Sequence, residues 1–388
     1  MTEWRSYKLS DIADLSNGIN FDKSAYTSGV KLIGVADFKD RIYPDYETLQ
    51  EVDSKVVREG DFLEKGDIVF VRSNGNKELV GRCLMINKDI PVTFSGFCIR
   101  LRLRDKHAFN PVFFNYLFKT QQFRKNMTGT AVGANIQNLS QSRLGNCVVE
   151  VPDGSVQRRI AEVLSRYDAL IENYQRQIKL LEEAAQRLYK EWFVDLRFPG
   201  HQSTPIINNL PQSWQSKPIL EVIDFKYGKI LPTKELIANG PIPVYGASKR
   251  IGYYDKANCF EAKVLVGSRG NAGHVHRTYE KVAYVTNNSF IISPQPGFNY
   301  IGLPYIYEAF RAIDFAAVCT GAAQPQLTLN TIASLQIILP SKPVVIEYIK
   351  LTEPIFERID KAYNQIRNLS EARDRLLPKL MSGEIYIV

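Results

Sequence analysis

The sequence contains no long hydrophobic run. No uninterrupted apolar stretch approaches the roughly 18 to 20 residues that a membrane-spanning helix needs, and residues 1–5 hold no hydrophobic signal core. Cysteine is sparse and scattered, and no CxxC pair occurs among Cys83, Cys98, Cys147, Cys259 and Cys319. An odd number of separated cysteines fits reduced thiols better than a disulfide framework or a small zinc module. We therefore expect a cytoplasmic protein without a membrane partner.

Motifs for catalysis are absent as well. The chain has neither the GxxxxGK[ST] loop that holds nucleotide phosphates nor the GxGxxG fingerprint of dinucleotide binding, and it lacks the Pro-Pro pair that the Asn/Asp-Pro-Pro-Tyr/Phe motif of adenine methyltransferases requires. Asp255 followed by Glu261 and Lys263 has the outline of a metal-dependent nuclease site, and His274 with His276 could form a metal pair. Both patterns arise easily by chance, and the histidines have no evident third ligand. We predict no catalytic residue, no metal and no cofactor of the chain's own.

Length and charge indicate a basic protein of more than one domain. The chain has 388 residues, 45% of them hydrophobic, a net charge of +8 and a pI near 9.0. The positive excess lies in residues 1–150 (+3) and 201–340 (+4), whereas residues 151–200 are neutral and residues 341–388 carry +1. This distribution is expected if the two basic blocks contact a polyanion and the other two segments contact protein.

The chain is a tandem duplication. At an offset of 210 residues, Trp4, Ser6, Asp14 and Gly18 align with Trp214, Ser216, Asp224 and Gly228. At an offset of 188, eight of the eighteen positions in residues 171–188 are identical to their counterparts in residues 359–376. The change in offset means that the middle of the first half is longer. Each half is therefore a variable block followed by a more similar helical block.

The helical blocks have the apolar spacing of coiled coils. From Ile160 to Trp192, apolar or aromatic residues recur at alternating steps of four and three residues. The second block repeats this pattern, but Arg373 interrupts it, and Pro354 and Pro378 are expected to start, kink or stop the helix. We predict two long helices that pack on each other; the alternative is a core helix in each of two separate domains. The predicted seam, which is also the candidate docking region for partners, consists of Ile160, Leu164, Ile171, Ile178, Leu181, Leu188, Trp192, Ile359, Ile366, Leu369 and Leu376.

The variable blocks have the short β-rich runs and the turn residues of mixed α/β domains. Residues 67–71, 99–104 and 263–266 are predicted strands, and residues 111–124 are a predicted helix. Residues 198–211, which contain three prolines, are a predicted linker between the halves.

Polar, glycine-containing loops recur at equivalent places in the two blocks, after a strand in each and just before each helical block. Arginine can bind guanine, and asparagine adenine, through paired hydrogen bonds in the major groove, while glycine lets the backbone come close. The alternative is ordinary tight loops. Arg100, Arg102 and Arg104 share one strand face, which could equally contact phosphate or simply be solvated. The candidate DNA contacts are Arg72, Asn74, Asn76, Lys77, Asn135, Gln137, Asn138, Ser248, Lys249, Arg250, Ser268, Arg269, Asn271, His274, Gln324 and Gln326.

These segments resemble the specificity subunits of type I restriction-modification systems over essentially the whole chain. The resemblance lies in the order of short phrases around a duplicated helical block. They are a Trp-x-x-x-x-Leu opening at residues 4–9, PVYGA at 243–247, VLVGSRG at 264–270, TGAAQP at 320–325 and LLPKLMSGEI at 376–385. The first block lacks the Tyr-Gly-Ala phrase.

The resemblance implies an α+β fold with a pseudo-two-fold internal repeat, in which two mixed α/β target recognition domains are joined by two long helices packed as an antiparallel coiled coil. Target recognition domain 1 would be residues 1–151, and residues 152–200 would be the first conserved helical region with the start of the linker. Target recognition domain 2 would be residues 201–340, and residues 341–388 the second conserved helical region. Each recognition domain would read one half of a bipartite, asymmetric site in double-stranded DNA.

The resemblance also implies partners. The chain would be non-catalytic and would dock two modification (methyltransferase) subunits, which use S-adenosylmethionine to methylate adenine at N6. Restriction subunits, which use ATP and Mg for translocation and cleavage, would join them. The alternatives are a stand-alone or regulatory DNA-binding protein and the specificity module of a single-chain restriction enzyme. A coiled-coil scaffold without a DNA role would leave the charge distribution and the paired loops unexplained.

Overall fold

The chain forms two compact units, each assembled from segments that are distant in sequence. Unit 1 comprises Met1–Ile171 with Asn368–Val388, and unit 2 comprises Glu172–Arg367. Each unit therefore holds one variable block together with part of both long helices. The computed structural model describes residues 4–38, 41–73, 79–128, 138–238, 240–321 and 324–386.

Unit 1 is a mixed α/β domain followed by the start of a long helix. Its described strands are β1 (Arg5–Lys8), β2 (Ala13–Asn17), β3 (Tyr26–Ile33), β4 (Gln50–Val52), β5 (Ile68–Val71), β6 (Cys83–Met85), β7 (Val92–Phe94), β8 (Cys98–Leu103) and β9 (Val148–Val151). Its described α-helices are α1 (Leu9–Ile12), α2 (Pro111–Lys119), α3 (Gln121–Thr128), α4 (Gln141–Gly145) and the long α5 (Gly154–Tyr189), which continues into unit 2.

Unit 2 contains the second variable block. Its described strands are β10 (Ile206–Ile207), β11 (Leu210–Pro211), β12 (Gln215–Pro218), β13 (Ile223–Tyr227), β14 (Ile242–Tyr245), β15 (Arg250–Tyr254), β16 (Val264–Gly267), β17 (Val275–Arg277), β18 (Tyr284–Val285), β19 (Ser289–Pro294) and β20 (Gln336–Leu339). Its described α-helices are α6 (Ile219–Val222), α7 (Leu303–Arg311), α8 (Leu329–Ile332) and the long α9 (Lys342–Met381), whose last part belongs to unit 1.

The two units share one sheet topology. A four-stranded sheet has the order β2-β8-β5-β6 in unit 1 and β13-β19-β16-β17 in unit 2. A three-stranded sheet has the order β4-β3-β7 in unit 1 and β15-β14-β18 in unit 2, with a parallel pair in the same place. The pairs β1-β9 and β12-β20 lead into α5 and α9. The predicted α+β fold with an internal repeat is confirmed.

One glycine that the halves share shows why the repeat keeps it. A Cβ added at Gly18 would lie 2.2 Å from the carbonyl oxygen of Phe94, and a Cβ at Gly228 would lie 2.3 Å from that of Thr286. These distances are shorter than any real contact between non-bonded carbon and oxygen atoms. The neighbouring backbone therefore comes so close that only glycine fits at positions 18 and 228.

The long helices run antiparallel within each unit. In unit 2, Ile178 of α5 packs against Ile359 and Ala362 of α9, and the ring of Tyr189 lies 6.3 Å from that of Tyr348. The C-terminal end of this part of α5 therefore lies beside the N-terminal part of α9. In unit 1, residues of the first turns of α5 share a core with the last turns of α9. All eleven predicted seam residues are buried or half-buried.

The interruption of the seam at Arg373 is an ion pair. Its guanidinium contacts the carboxylate of Asp168 on α5, which also accepts a hydrogen bond from the hydroxyl of Tyr116 on α2. The expectation that Pro354 and Pro378 start or stop the helix is wrong, because α9 extends through both. Both prolines lie at exposed positions, where water can hydrate the carbonyl groups that lose an N–H partner.

The shorter predictions are borne out with shifts at their boundaries. The three predicted strands correspond to β5, β8 and β16, but the predicted helix 111–124 is divided at Thr120 into α2 and α3. Thr120 is extended, with ψ of 145°, and its hydroxyl oxygen accepts from the amide of Phe123 at 3.3 Å, so it ends one helix and begins the next.

The predicted linker is structured. Residues 206–211 form the β10–β11 hairpin, whose turn residues Asn208 and Asn209 have φ of 51° and 65°, as a tight two-residue hairpin requires. Phe198 is buried, with its ring 4.9 Å from that of Trp214. The aromatic residues flanking the linker therefore attach it to the core of unit 2. Among the described helices, none combines the length and the apolar character that crossing a membrane requires.

The core of unit 2 contains a buried acid. Glu308 on α7 is 2% exposed, and burial raises its pKa from 4.5 to about 7, although Arg311 lies 3.4 Å away and opposes the shift. The folded state therefore binds a proton more tightly than the unfolded chain does. Above pH 7 the ionised carboxylate destabilises the fold, and below about pH 4.5 this penalty is absent.

We predict that Glu308→Gln raises the free energy of unfolding by roughly 2 to 3 kcal/mol at pH 8 and has little effect at pH 4.5, because the amide mimics the protonated acid. Urea unfolding of both proteins between pH 4.5 and pH 8 measures the difference. Glu353→Gln, at an exposed position of α9, is the control and should leave the profile unchanged. A Glu308→Gln effect that is independent of pH would contradict the assignment.

Candidate nucleic-acid interface

The loop that follows β16 in unit 2 is closed by its own backbone. The amide of Gly267 donates to the carbonyl of His274 at 2.9 Å, and the amide of Gly273 donates to that of Gly267 at 2.8 Å. A Cβ at Gly267 would lie 2.2 Å from the carbonyl oxygen of Asn271 and 2.6 Å from that of Ala247. The absence of a side chain therefore brings the loop of residues 267–274 against the turn that follows β14.

Two further segments join this loop. The amide of Ser268 donates to the carbonyl of Asn288 at 2.7 Å, and its own carbonyl accepts from the amide of Leu327 at 2.9 Å. Arg269 and Gln326 form an antiparallel bridge, and Gln326 also pairs with Thr320. Four segments thus meet at one end of the four-stranded sheet, and their described residues are 246–250, 267–274, 286–289, and 320–321 with 324–327. We call them the unit 2 loop cluster.

The candidate contacts of the unit 2 loop cluster differ in accessibility. Arg269, Asn271 and His274 are exposed, and the guanidinium of Arg269 makes no ion pair with any residue that the structure describes. Gln324 is also exposed and Gln326 is half-buried.

Ser268 departs from the prediction. It is fully buried, and its hydroxyl donates to the carbonyl of Asn287 at 3.1 Å. The side chain holds two segments of the cluster together and is not presented to a ligand.

The turn after β14 contributes two accessible cations. Lys249 is exposed and Ser248 is half-buried. Arg250 is exposed, but its guanidinium lies 3.6 Å from Glu280 and 5.2 Å from the ring centre of Tyr253. Arg250 is therefore partly engaged within unit 2, whereas Lys249 has no such restraint among the described residues.

Unit 1 builds the corresponding loop cluster with the same hydrogen bonds. The amides of Arg72 and Ser73 donate to the carbonyl of Phe97 at 2.8 and 3.3 Å, and the carbonyl of Arg72 accepts from Leu139 at 2.8 Å. Ser73 bridges Asn138, as Arg269 bridges Gln326 in unit 2. We call residues 72–73, 95–98 and 138–139 the unit 1 loop cluster.

The candidate contacts of unit 1 are only partly described. Asn138 is exposed. Arg72 is half-buried, and its Nη1 donates to the carbonyl of Gly96 at 3.4 Å. The candidates Asn74, Asn76, Lys77, Asn135 and Gln137 lie outside the described residues.

The three arginines in and directly after β8, at positions 100, 102 and 104, have structural partners. Arg102 forms a two-pronged ion pair with the buried carboxylate of Asp67, at 2.8 and 2.6 Å. Arg104 lies 2.8 Å from Asp14, and Arg100 donates to backbone carbonyls of residues 60 and 62. These bonds already use the guanidinium groups within unit 1 and explain the arginines without a phosphate ligand.

Residues of the two possible metal sites in the sequence also make bonds within unit 2. Nε2 of His276 lies 3.0 Å from the carbonyl oxygen of Gly246, and burial lowers the pKa of His276 to about 4. Nζ of Lys263 lies 2.7 Å from both a carboxylate oxygen of Glu261 and the hydroxyl of Ser293. Among the described residues, no three His, Cys, Asp or Glu side chains gather as a metal site would require.

Two exposed apolar residues at the loop clusters are not among the sequence-based candidates. Phe97 is 62% exposed in unit 1, and Ile230, beside the turn 286–289 in unit 2, is 77% exposed. Apolar residues are assigned to the core when a sequence is read alone. The available signal for Phe97 is its place directly after Gly96 in a short turn between two strands.

The duplicated loop clusters agree with comparisons to known proteins. The sequence profile of the family described as "Type I restriction modification DNA specificity domain" matches residues 1–183 and 211–374, once in each half. The chain belongs to this family. The presence of the domain twice corresponds to the two units.

Specificity subunits from other organisms align with most of the chain. The specificity subunit of the type I restriction enzyme MjaIX from Methanocaldococcus jannaschii is 25% identical over 300 residues, which are 70% of this chain and 68% of the relative. The HindI specificity subunit from Haemophilus influenzae is 20% identical over 99% of this chain and its own full length.

A solved structure shows the same fold. The crystal structure of a type I restriction-modification S subunit from M. genitalium superimposes with a TM-score of 0.62 at 19% sequence identity, covering 98% of this chain and 96% of that one.

We predict that Gly267→Ala opens the loop of the unit 2 cluster, since the added methyl group would overlap two carbonyl oxygens. The expected loss is about 1 to 3 kcal/mol in the free energy of unfolding, with faster amide hydrogen exchange in residues 267–274. Gly60→Ala is the control, because nothing lies within 4 Å of a Cβ there. Equal exchange rates in both variants would show that the loop is not closed in this way.

Proposed function

We propose that the chain is the DNA-reading subunit of a type I restriction-modification complex and that each unit reads one half of a bipartite, asymmetric site in double-stranded DNA. The observation that supports this most is that the two loop clusters share one backbone framework but differ in their side chains. Arg269 and Gln326 in unit 2 stand where Ser73 and Asn138 stand in unit 1. Equal frameworks with different side chains suit two half-sites of different sequence.

The chemistry of the exposed groups fits base recognition. A guanidinium can donate two hydrogen bonds to guanine, and an amide can exchange two with adenine in the major groove. Arg269 and Asn271 lie on one short loop whose backbone is fixed by hydrogen bonds, so little ordering remains to be done on binding. The positive excess of the two variable blocks supplies attraction to phosphate that does not depend on sequence.

Membership of the family supports a proposal for the partners as well. The chain docks two modification subunits, which use S-adenosylmethionine, and restriction subunits, which use ATP and Mg. The long helices set the unread spacing between the half-sites and carry the docking surface. The chain supplies recognition and no catalytic group of its own, and it acts in the cytoplasm, where the DNA lies.

We predict that Arg269→Ala relaxes the sequence preference in one half-site only, because Arg269 contacts a base in the half read by unit 2. The expected loss is about 1 to 3 kcal/mol of binding free energy at the affected position. Methylation sequencing of DNA from cells that produce the variant with its cognate modification subunit reads both half-sites at once.

The matched control is Lys281→Ala, an exposed cation of unit 2 that belongs to none of the segments of the unit 2 loop cluster. This variant should keep both half-sites. If the Arg269→Ala complex methylates the same site as the wild type, with the same base preference at every position, Arg269 reads no base. A uniform loss on every sequence would make it a phosphate contact.

A further inference from the structure

In each unit, one large apolar side chain and one amide are exposed, one of them on a turn of the loop cluster and the other on the segment beside that turn. The two units have exchanged the positions of the apolar side chain and the amide. Phe97 in unit 1 and Asn288 in unit 2 occupy the same place in equivalent turns, which are closed by amide-to-carbonyl hydrogen bonds of 2.9 Å (Cys98 to Ser95) and 3.1 Å (Ser289 to Thr286). Asn20 in unit 1 and Ile230 in unit 2 are likewise equivalent. Each follows a residue that bridges the first residue of the turn.

Folding does not explain the apolar residues. Phe97 stands at the third position of a tight turn and is 62% exposed, so its ring contributes little to any core. Its backbone is nevertheless fixed, because its carbonyl accepts from Arg72 and the amide of Gly96 donates to the carbonyl of Ile19 at 2.7 Å.

Ile230 is 77% exposed, and its carbonyl accepts from the hydroxyl of Tyr284 at 3.1 Å. The backbone of the preceding residue, Lys229, is bonded to the turn on both sides, to Val285 at 3.0 Å and to Asn287 at 3.0 Å. Like Phe97, Ile230 is a water-exposed apolar side chain on a firmly held backbone, so contact with an apolar group of a ligand would be favourable.

We propose that Phe97 and Ile230 each contact the C5 methyl group of a thymine in the major groove, one in each half-site. The inference rests on the proposed function and names a pair of specificity residues within it. Thymine is distinguished in the major groove by this methyl group, and an apolar side chain is what recognises it. Isoleucine has no π face for stacking on a base, so apolar contact is the chemistry that the two positions share.

Uracil substitution tests the proposal, because uracil lacks only this methyl group. The complex of the chain with its modification subunits is titrated with a fluorescent duplex that carries the site identified by methylation sequencing. Single thymines of this duplex are replaced by uracil, and the dissociation constant is measured at constant salt. For the wild type we expect the dissociation constant to rise about fourfold at one position in each half-site, the value of one buried methyl group. Phe97→Ala should abolish the effect in the half read by unit 1, and Ile230→Ala in the other half.

Phe260→Ala is the matched control. Phe260 is 74% exposed in the same protein, but it belongs to none of the segments of the unit 2 loop cluster. The control should keep both uracil effects. All three side chains are exposed, so their removal leaves the cores intact.

Uracil effects that are the same in the wild type and in Phe97→Ala and Ile230→Ala would overturn the proposal. So would the absence of a uracil effect together with a rise in 2-aminopurine fluorescence that requires Phe97, because this would make the ring a wedge between bases. In both cases the complex still prefers its site, and the proposed function stands. A complex with no sequence preference would overturn the proposed function and this inference together.

Discussion

The fold depends on the burial of helix ends that come from the other half of the sequence. Leu380 and Met381, at the end of α9, are buried in the same core as Leu9 and Phe113 of unit 1. Trp192 and Phe193, just after α5, are buried in the core of unit 2. Neither unit can therefore close its core with one continuous stretch of chain.

The two tryptophans at the openings of the halves show the same constraint. Trp214 packs against Phe193, which follows α5, with ring centres 5.7 Å apart. Trp4 lies against Gly383 at the end of α9, where a Cβ would be 3.0 Å from the indole nitrogen. Each half thus opens with an indole that covers the end of the long helix from the other half. This arrangement explains why a tryptophan opens both halves of the sequence.

In each unit an ion pair holds α9 against a neighbouring element. In unit 2, Arg277 is 2% exposed, lies 2.6 Å from the carboxylate of Asp360 on α9, and is placed between the rings of Tyr279 and Phe356. In unit 1 the pair is Asp168 with Arg373. Removing one partner of such a pair leaves a buried charge without compensation, which is strongly destabilising. We infer that the Asp168–Arg373 pair fixes the register of α5 against α9 in unit 1, which an apolar seam alone would leave adjustable, and that the Arg277–Asp360 pair fixes α9 against β17 in unit 2.

Alignment of the chain with itself was sufficient to predict the repeat. Apolar periodicity was sufficient to predict the long helices, because burial of one helix face imposes a pattern every three to four residues. It could not predict contacts that depend on a partner distant in the chain. Arg102 is indistinguishable from a solvated arginine until Asp67 is placed beside it. Ser268 is a typical loop residue until the turn of residues 286–289 covers it. Phe97 is exposed, whereas an aromatic side chain in a sequence is normally assigned to the core.

We propose that one chain with two equivalent units directs methylation to a split site. The most direct measurement is methylation sequencing of DNA from cells that produce the chain with its cognate modification subunit, and from cells that produce either protein alone. We expect N6-methyladenine in a bipartite, asymmetric motif with an unread spacer when both proteins are made, and no such motif when either is made alone. Methylation by the chain alone, or a single continuous motif, would contradict it.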